Sequence, residues 1–158
     1  MATIPLTRRG AEKLKEELHR LKTVERHAVI QAIAEARAQG DLSENAEYEA
    51  AKDKQAFIEG RILHIDGQLA AAQIINPADV DAGGRIVFGS TVVLEEEETG
   101  QEVTYQIVGD DEADIKQNLI SISSPIARAL IGKSVGDRVE VATPKGQRAY
   151  EVLEVKWI

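Results

Sequence analysis

Apolar residues recur at helical spacing through the first half of the chain. The stretch from Leu6 to Gln73 has no proline and is rich in Ala, Glu, Lys, Leu and Arg, which favour helices. In its second part, apolar positions alternate steps of three and four residues, the period of a coiled coil. Members of this seam are Tyr48, Ala51, Gln55, Ile58, Ile62, Ile65, Leu69 and Ala72. The spacing predicts one long helix with a single buried face.

A second seam lies in the first part of the same stretch. Its members are Leu14, Leu18, Leu21, Ala28 and Ala32, and Glu25 interrupts it. Because only a few residues around Gly40 join the two helices, they must run antiparallel. At about 30 residues per arm, the predicted hairpin is roughly 45 Å long. Its two seams cover each other, so we expect its tip to project into solvent.

The pattern changes at Asn76-Pro77, where the proline is predicted to end the second helix. Alternating segments rich in β-branched residues then predict strands at 91–94, 103–108, 120–122, 139–141 and 150–157. Ser124 as a cap and Pro125 at the first helical position predict one short helix. The predicted fold class is α+β. An antiparallel coiled-coil hairpin in residues 1–76, with its tip at 40–45, precedes a small, mostly antiparallel sheet domain in residues 77–158.

Composition limits the kind of protein. Of 158 residues, 43% are hydrophobic and 29% charged, which is typical of a folded globular chain. No apolar run approaches the ~20 residues of a membrane span, and the first residues lack the apolar core of a signal peptide. We therefore expect a cytoplasmic protein with no membrane partner. The absence of cysteine excludes disulfides and thiolate metal sites.

Charge is unevenly distributed along the chain. The formal net charge is −8, and residues 77–158 alone carry 8 basic and 15 acidic side chains. Such a surface repels bare nucleic acid and attracts a basic partner. A stand-alone DNA-binding role is therefore disfavoured.

The predicted tip carries two carboxylates three positions apart, Asp41 and Glu44. This spacing fits a capping box, in which Asp41 caps the second helix and Glu44 completes the motif. Carboxylates at an exposed tip can also present free oxygens to a partner. Two carboxylates supply only two or three of the six oxygens that Mg²⁺ requires, so a metal held there needs ligands from another molecule. The sequence is compatible with both interpretations.

Other candidate residues lie near the tip and in the second domain. Arg37 and Lys52 flank the tip, either to meet a phosphate chain or as ordinary solvated charges. In the second domain, an acidic loop at 109–114 and a helix start at 124–127 predict either a docking surface or plain turn chemistry. A peptide-binding or prolyl-isomerase pocket would need converging aromatic residues, and few are available after residue 76.

Three motifs carry a resemblance to a known family. GDLSENAEY at the tip, VGDDEAD, and ISISSPIARALIGKSVGD resemble the bacterial Gre family of transcript-cleavage factors, and the similarity extends along the whole chain. The resemblance implies a factor that docks on the rim of the secondary channel of RNA polymerase through an FKBP-like domain. Its hairpin would enter that channel and stimulate the polymerase's own cleavage of the RNA 3′ end in backtracked complexes.

The resemblance also implies roles for individual residues. Asp41 and Glu44 would be the tip acids that share a Mg²⁺ ion with the polymerase, and Ser43 and Asn45 would support them. Basic positions expected to contact the RNA are Arg37 and Lys52, although relatives often have Arg where Lys52 stands, and lysine lacks the bidentate fork. Docking positions matched by the resemblance are Asp114, Ser124, Pro125 and Ile126.

Such a factor activates the polymerase and is not itself an enzyme, and it is expected to act as a monomer. Two alternatives are an inhibitor that plugs the channel without promoting cleavage and, less favoured, a chaperone or prolyl isomerase. The intact acidic pair argues against the first alternative, since a plug needs no particular carboxylate geometry. The scarcity of aromatic residues argues against the second.

Overall fold

Two helical arms and a five-stranded sheet make up most of the regular structure in this computed structural model, which describes residues 3–40 and 45–158. By packing, the chain divides into two units. The first unit runs from Glu12 to Ala71, and the second combines the segment up to Ala11 with Ala72–Ile158. The predicted boundary of functional domains between residues 76 and 77 stays a prediction.

The first arm contains a wide helical turn that the apolar pattern did not predict. Helix α1, Arg8–Arg20, continues through a π-helical turn, Leu21–Glu25, into α2, Arg26–Arg37. A π-helical turn holds one residue more than an α-helical turn. Buried Val29 therefore follows buried Leu21 by eight positions instead of the seven of a regular coiled coil.

The extra residue corrects the predicted seam of this arm. Ala28 and Ala32, which were expected to face the partner helix, are exposed. Val29 and Ala36 are buried in their place, each 2% exposed. The break that the sequence shows at Glu25 thus marks a change of helical winding, after which the buried face resumes one position later.

The second arm is the single helix α3, Ala46–Ala71. Within it, the positions of the predicted seam from Tyr48 to Leu69 are all buried or half-buried. Four of them are at most 8% exposed: Ala51, Ile58, Ile62 and Ile65. The predicted coiled-coil face of this arm is confirmed.

Both ends of the helical stretch differ from the prediction. Strand β1, Ile4–Thr7, precedes the first arm, and strand β2, Ala72–Ile75, follows α3. They pair in parallel, so the second helix ends at Ala71 and not at Asn76-Pro77. Ile74 and Ile75 are β-branched and suit a strand, and Leu6 in β1 is fully buried.

The larger sheet has the strand order β5-β4-β3-β7-β6. Its strands are β3 Thr91–Glu96, β4 Glu102–Val108, β5 Leu119–Ser121, β6 Arg138–Thr143 and β7 Gly146–Lys156. β4 and β5 pair in parallel, and the other pairs are antiparallel. One short helix, α4 Pro125–Leu130, contributes Ala127 and Leu130 to the hydrophobic core of this sheet. The predicted α+β fold class is confirmed.

The residues at the centre of this core come from distant parts of the chain. They are Ile86, Val92, Leu94, Ile107, Ile120, Ala127, Leu130, Val139, Val152 and Val155.

Among the described helices, none is long and apolar enough to cross a membrane.

Candidate functional site

The tip of the hairpin is bounded by residues that the structure describes on both sides. Helix α2 ends at Arg37 with Ala38 as its C-cap, and Gly40, two residues further on, has a φ of 109°, a conformation that favours glycine. Helix α3 begins at Ala46. Asp41, Ser43 and Glu44, three of the predicted tip residues, lie outside the described residues.

Asn45 caps α3 and joins it to α2. Its side-chain Oδ1 accepts a hydrogen bond from the backbone N–H of Tyr48 at 3.0 Å, which is the geometry of a helix cap. Its Nδ2 donates to the carbonyl oxygen of Ala36 at 2.8 Å. At the described start of α3, Asn45 therefore fills the role predicted for Asp41. Because one side chain binds both arms, the two helix ends that flank the tip are held together.

The two basic candidates lie on opposite arms. Arg37 is the last residue of α2, and Lys52 lies seven positions after Asn45, about 10 Å along α3. Both side chains are exposed, and neither forms an ion pair with another residue that the structure describes. Two cations that are unpaired with any residue of 3–40 and 45–158 thus lie within the last turns of the hairpin, where a negatively charged ligand near the tip could reach them.

Ion pairs between the arms hold the hairpin in register. Arg26 binds both carboxylate oxygens of Glu59, at 3.0 and 2.8 Å, and Arg61 binds those of Glu17 at 2.6 and 3.0 Å. The hydrogen bonds from these arginines lower the pKa of Glu59 and of Glu17. Exposed pairs add little stability, but the fork of each arginine fits only one alignment of the helices. These pairs therefore favour one register of the two arms.

No group of three or more His, Asp or Glu side chains among residues 3–40 and 45–158 is placed to hold a metal ion.

In the second unit, Asp110 connects the acidic loop to two serines of the same unit. Its carboxylate accepts hydrogen bonds from the hydroxyl of Ser121 and from the hydroxyl of Ser123, the latter at 2.6 Å. These hydroxyls lower the pKa of Asp110, and Arg128 makes a smaller electrostatic contribution in the same direction. Asp110 thereby fastens the loop to the connection between β5 and α4.

Asp114, a predicted docking residue, shapes a tight turn. Its Oδ1 accepts from the backbone N–H of Lys116 at 3.1 Å and caps the short helical turn Ile115–Gln117. Its backbone exchanges two hydrogen bonds with Leu119, at 2.9 and 3.0 Å. The side chain of Ile115 in this turn is 66% exposed, an apolar group that the sequence did not single out.

The other three predicted docking residues form the start of α4. The Ser124 hydroxyl accepts from the N–H of Ala127 at 3.3 Å and donates to the carbonyl oxygen of Ser121 at 2.7 Å. Pro125 is exposed at the first helical position, as predicted. Ile126, expected as an exposed apolar residue, is half-buried and packs against the core. Turn chemistry therefore accounts for Ser124, and Pro125 offers the most accessible surface of the three.

The sequence interpretation included Asp110 and Glu112 in the acidic loop but assigned neither of them a role of its own. Glu112 binds Thr7 and Gly109, and Asp110 binds the two serines. Glu112 stands three positions after Gly109, and its carboxylate accepts from the Gly109 N–H, which is one half of a capping box; glycine has no side chain to supply the other half. No comparable local signal connects residues 7 and 112, because they are far apart in the chain.

An open groove lies where the β3–β4 loop approaches the β6–β7 turn. Its lining includes Gln101, Lys145, Arg148 and Tyr150. Arg148 is bound to Glu96 at 2.5 Å, and burial raises the pKa of Tyr150, the one aromatic residue in the lining. This groove lacks the converging aromatic side chains of a proline-binding pocket.

Comparison with known proteins gives full-length matches. Two family models, described as "Transcription elongation factor, N-terminal" and "Transcription elongation factor, GreA/GreB, C-term", match residues 4–74 and 80–157. Proteins named transcription elongation factor GreA are 69% identical in Verminephrobacter eiseniae, over 99% of both chains, and 67% identical in Ralstonia nicotianae, over 100% of both. The crystal structure of GreA factor homolog 1 (Gfh1) of Thermus thermophilus is 31% identical, covers 98% of this chain and 99% of that chain, and has a TM-score of 0.43.

Proposed function

The chain belongs to the GreA/GreB family of transcription elongation factors, and from that premise we propose that it stimulates RNA polymerase to cleave the RNA 3′ end in backtracked complexes. Cleavage would leave a new 3′ end from which elongation can resume. The family membership predicted from the three motifs is confirmed by these matches.

The observation that carries the proposal is the position of an acidic pair in the sequence, between two helices whose ion pairs favour one register. The sequence places Asp41 and Glu44 between Gly40, which follows the end of α2, and Asn45, which caps α3. Helix α3 alone, with 26 residues, is about 39 Å long. A hairpin of that length can deliver side chains into a narrow channel of a partner such as the polymerase secondary channel.

The chemistry assigned to the tip is an incomplete Mg²⁺ site. Asp41 and Glu44 would supply two or three oxygens, and the polymerase and the RNA would supply the rest. When bound, a second Mg²⁺ ion in a two-metal site activates a water molecule for attack on a phosphodiester. Ser43 and Asn45 support the acids, and for Asn45 the support is the cap and the bond to Ala36.

Positioning of the RNA is assigned to the basic residues on the arms. Arg37 and Lys52 carry exposed positive charges near the tip, which suit contact with the phosphates of the extruded RNA 3′ segment. Lys52 offers a point charge and not a bidentate fork, so we expect its contact to be less directional than an arginine contact.

Docking on the polymerase is assigned to the acidic loop and the start of α4. Asp114, Ser124, Pro125 and Ile126 belong to structural elements that internal hydrogen bonds hold in place, so the surface is ordered before it meets a partner. In this proposal the protein acts in the cytoplasm as a monomer, and the catalytic machinery is that of the polymerase.

The main alternative is a channel-binding inhibitor without cleavage activity, and an isomerase is less favoured. An inhibitor would not depend on two carboxylates at the tip. For the isomerase, the open groove has one aromatic lining residue, which argues against proline recognition.

The test uses a backtracked elongation complex with a 3′-labelled RNA. We would measure the release rate of the short labelled fragment with Mg²⁺ for the unchanged protein and for Asp41→Ala/Glu44→Ala. The double variant should lose stimulation by at least about 10-fold, the scale on which groups that support a metal affect activity. It should still compete with the unchanged protein for the polymerase.

The matched control is Glu47→Ala/Glu49→Ala, which removes the same charge from the exposed first turn of α3. This variant should retain stimulation. Equal losses in the two double variants would reject a specific role for the tip acids. Binding without stimulation by the unchanged protein would favour the inhibitor.

A further inference from the structure

Glu112 differs from a typical surface acid because its carboxylate accepts hydrogen bonds from a distant part of the chain as well as from its own loop. It accepts from the backbone N–H of Thr7 at 3.0 Å and from the Thr7 hydroxyl. It also accepts from the backbone N–H of Gly109 at 2.8 Å. Thr7 is 3% exposed. The carboxylate thus joins the acidic loop to the end of β1, and both segments belong to the second unit.

Two glycines provide the space that Glu112 occupies. A Cβ atom on Gly10 would lie 1.8 Å from the Oε1 of Glu112, and one on Gly109 would lie 2.6 Å from the carbonyl oxygen of Pro5. Gly10 stands in helix α1, where glycine is less favourable than alanine by about 1 kcal/mol. Its backbone has no positive φ that would require glycine. The reason for glycine at this helical position is therefore the room that it leaves for the carboxylate.

The Thr7 hydroxyl extends the same network into the helix. It donates to Glu112 and accepts from the backbone N–H of Gly10 at 3.0 Å, so it caps the start of α1. We name the set of Thr7, Gly10, Gly109 and Glu112 the Glu112 latch. Its hydrogen bonds connect the first residues of the described chain with the loop that follows β4.

The latch is one of three sets of hydrogen bonds that hold the acidic loop in place. Glu112 holds the loop on the side of β1, and Asp110 holds it on the side of Ser121 and Ser123. Asp114 then closes the following turn. With all three attachments present, the loop can present one shape to a partner, and a preorganised loop loses less conformational entropy on binding.

We propose that Glu112 is a positioning residue for polymerase docking, acting through the latch on the acidic loop and not by contact with the polymerase. This inference rests on the proposed function, since it takes the loop at 109–114 as part of the docking surface. It assigns to Gly10 and Thr7, at the far end of the chain, a role in the affinity for the partner.

The test compares two ways of opening the latch. Glu112→Gln removes one acceptor oxygen and the charge, whereas Gly10→Ala forces the carboxylate away and leaves every charge in place. Each variant should weaken binding to RNA polymerase by about 3- to 10-fold, the effect of one or two lost hydrogen bonds. The double variant should be no weaker than either single variant, because both changes open the same contact.

A control separates positioning from stability. Val141→Ala deletes buried atoms in β6, at the opposite edge of the sheet from β5, and should destabilise the same unit without weakening binding. All affinities are measured at a temperature at which every variant is folded. Equal weakening by Val141→Ala would overturn the inference, and so would unchanged binding by Gly10→Ala with weakened binding by Glu112→Gln, since Glu112 would then act as a surface charge.

Amide hydrogen exchange gives a readout that does not depend on the polymerase. The N–H groups of Thr7 and Gly109 should exchange slowly in the unchanged protein and faster in Gly10→Ala. Fast exchange in the unchanged protein would show that the latch does not form. If these N–H groups exchange slowly but the unchanged protein does not bind RNA polymerase, the latch exists and the proposed function is rejected. The docking role of the latch is then rejected as well.

Discussion

The helical hairpin and the sheet unit bury their apolar residues in different ways. The hairpin has one seam between two arms, and its cross-arm ion pairs are open to solvent. The sheet unit has a closed core in which Leu94, Ile107, Leu130 and Val152 are fully buried. A two-helix seam is encoded by local periodicity, whereas a closed core needs residues from many segments. The first unit can therefore be inferred from spacing, and the second depends on long-range contacts.

The same difference separates the candidate functional residues. Those of the hairpin lie at or near its end, where Arg37 and Lys52 are exposed and form no ion pair with other described residues. Those of the sheet unit, such as Asp114 and Ser124, are engaged in internal hydrogen bonds. Among the described candidates, the hairpin therefore has two cations that bind no other described acid, whereas the sheet unit offers a surface that its folding shapes.

The largest expected effect comes from truncating one core residue in each unit. Leu130→Ala should cost about 2–5 kcal/mol, because a closed core leaves a cavity. Ile62→Ala in the hairpin seam should fall at the low end of that range, since two helices can move together. Urea unfolding would be followed by fluorescence of Trp157, which reports on the sheet unit, and by far-UV circular dichroism, which is dominated by the hairpin.

As a control, the unfolding transitions from fluorescence and from circular dichroism are compared for each variant. Each substitution should shift mainly the transition of its own unit. If both probes shift together for both variants, the two units unfold as one, and the contrast between an open seam and a closed core does not govern their stability.

A smaller effect is expected from removing a cap in each unit. Asn45→Ala should cost the hairpin about 1 kcal/mol, because it removes the cap of a 26-residue helix and the bond to Ala36. The matched change is Asn76→Ala, whose side chain caps only the three-residue turn Pro77–Asp79. Urea unfolding should show a smaller loss for Asn76→Ala. Equal losses would mean that the Asn45 contacts contribute no more than a local turn.

Periodicity predicted most of the hairpin and failed at identifiable places. The second arm follows a strict pattern of steps, and Ile58, Ile62 and Ile65 are buried as expected. In the first arm, the π-helical turn at Leu21–Glu25 moves the buried face by one position. A fixed period cannot represent an inserted residue, so the prediction continued on Ala28 and Ala32 when Val29 was the buried residue.

The sheet unit was predictable in its local elements and less so in their connections. Turn residues and alternation located all five strands of the larger sheet, and the Ser-Pro pair located α4. Strands β1 and β2 were missed because each has only four residues and they pair across the whole length of the hairpin. The contact of Glu112 with Thr7 was missed for the same physical reason, since no local pattern records a partner 105 positions away.

The smallest expected effect is a difference between the two units in how their free energy of unfolding depends on pH and salt. The pKa of Asp110 is lowered by hydroxyl groups, and the pKa of Glu17 by an arginine, so each carboxylate stabilises its unit above the unfolded pKa of about 4. That contribution, at most about 1 kcal/mol for such exposed groups, is lost as the pH falls through the folded pKa. In Asp110→Asn and in Glu17→Gln, the free energy of unfolding should fall less steeply as the pH is lowered. It is measured by urea unfolding between pH 6 and the acid transition. Added salt should reduce the effect of Glu17→Gln more than that of Asp110→Asn, because salt screens an ion pair more than a hydrogen bond to a neutral hydroxyl. Equal salt sensitivity would show that Asp110 is stabilised mainly by Arg128 and not by Ser121 and Ser123.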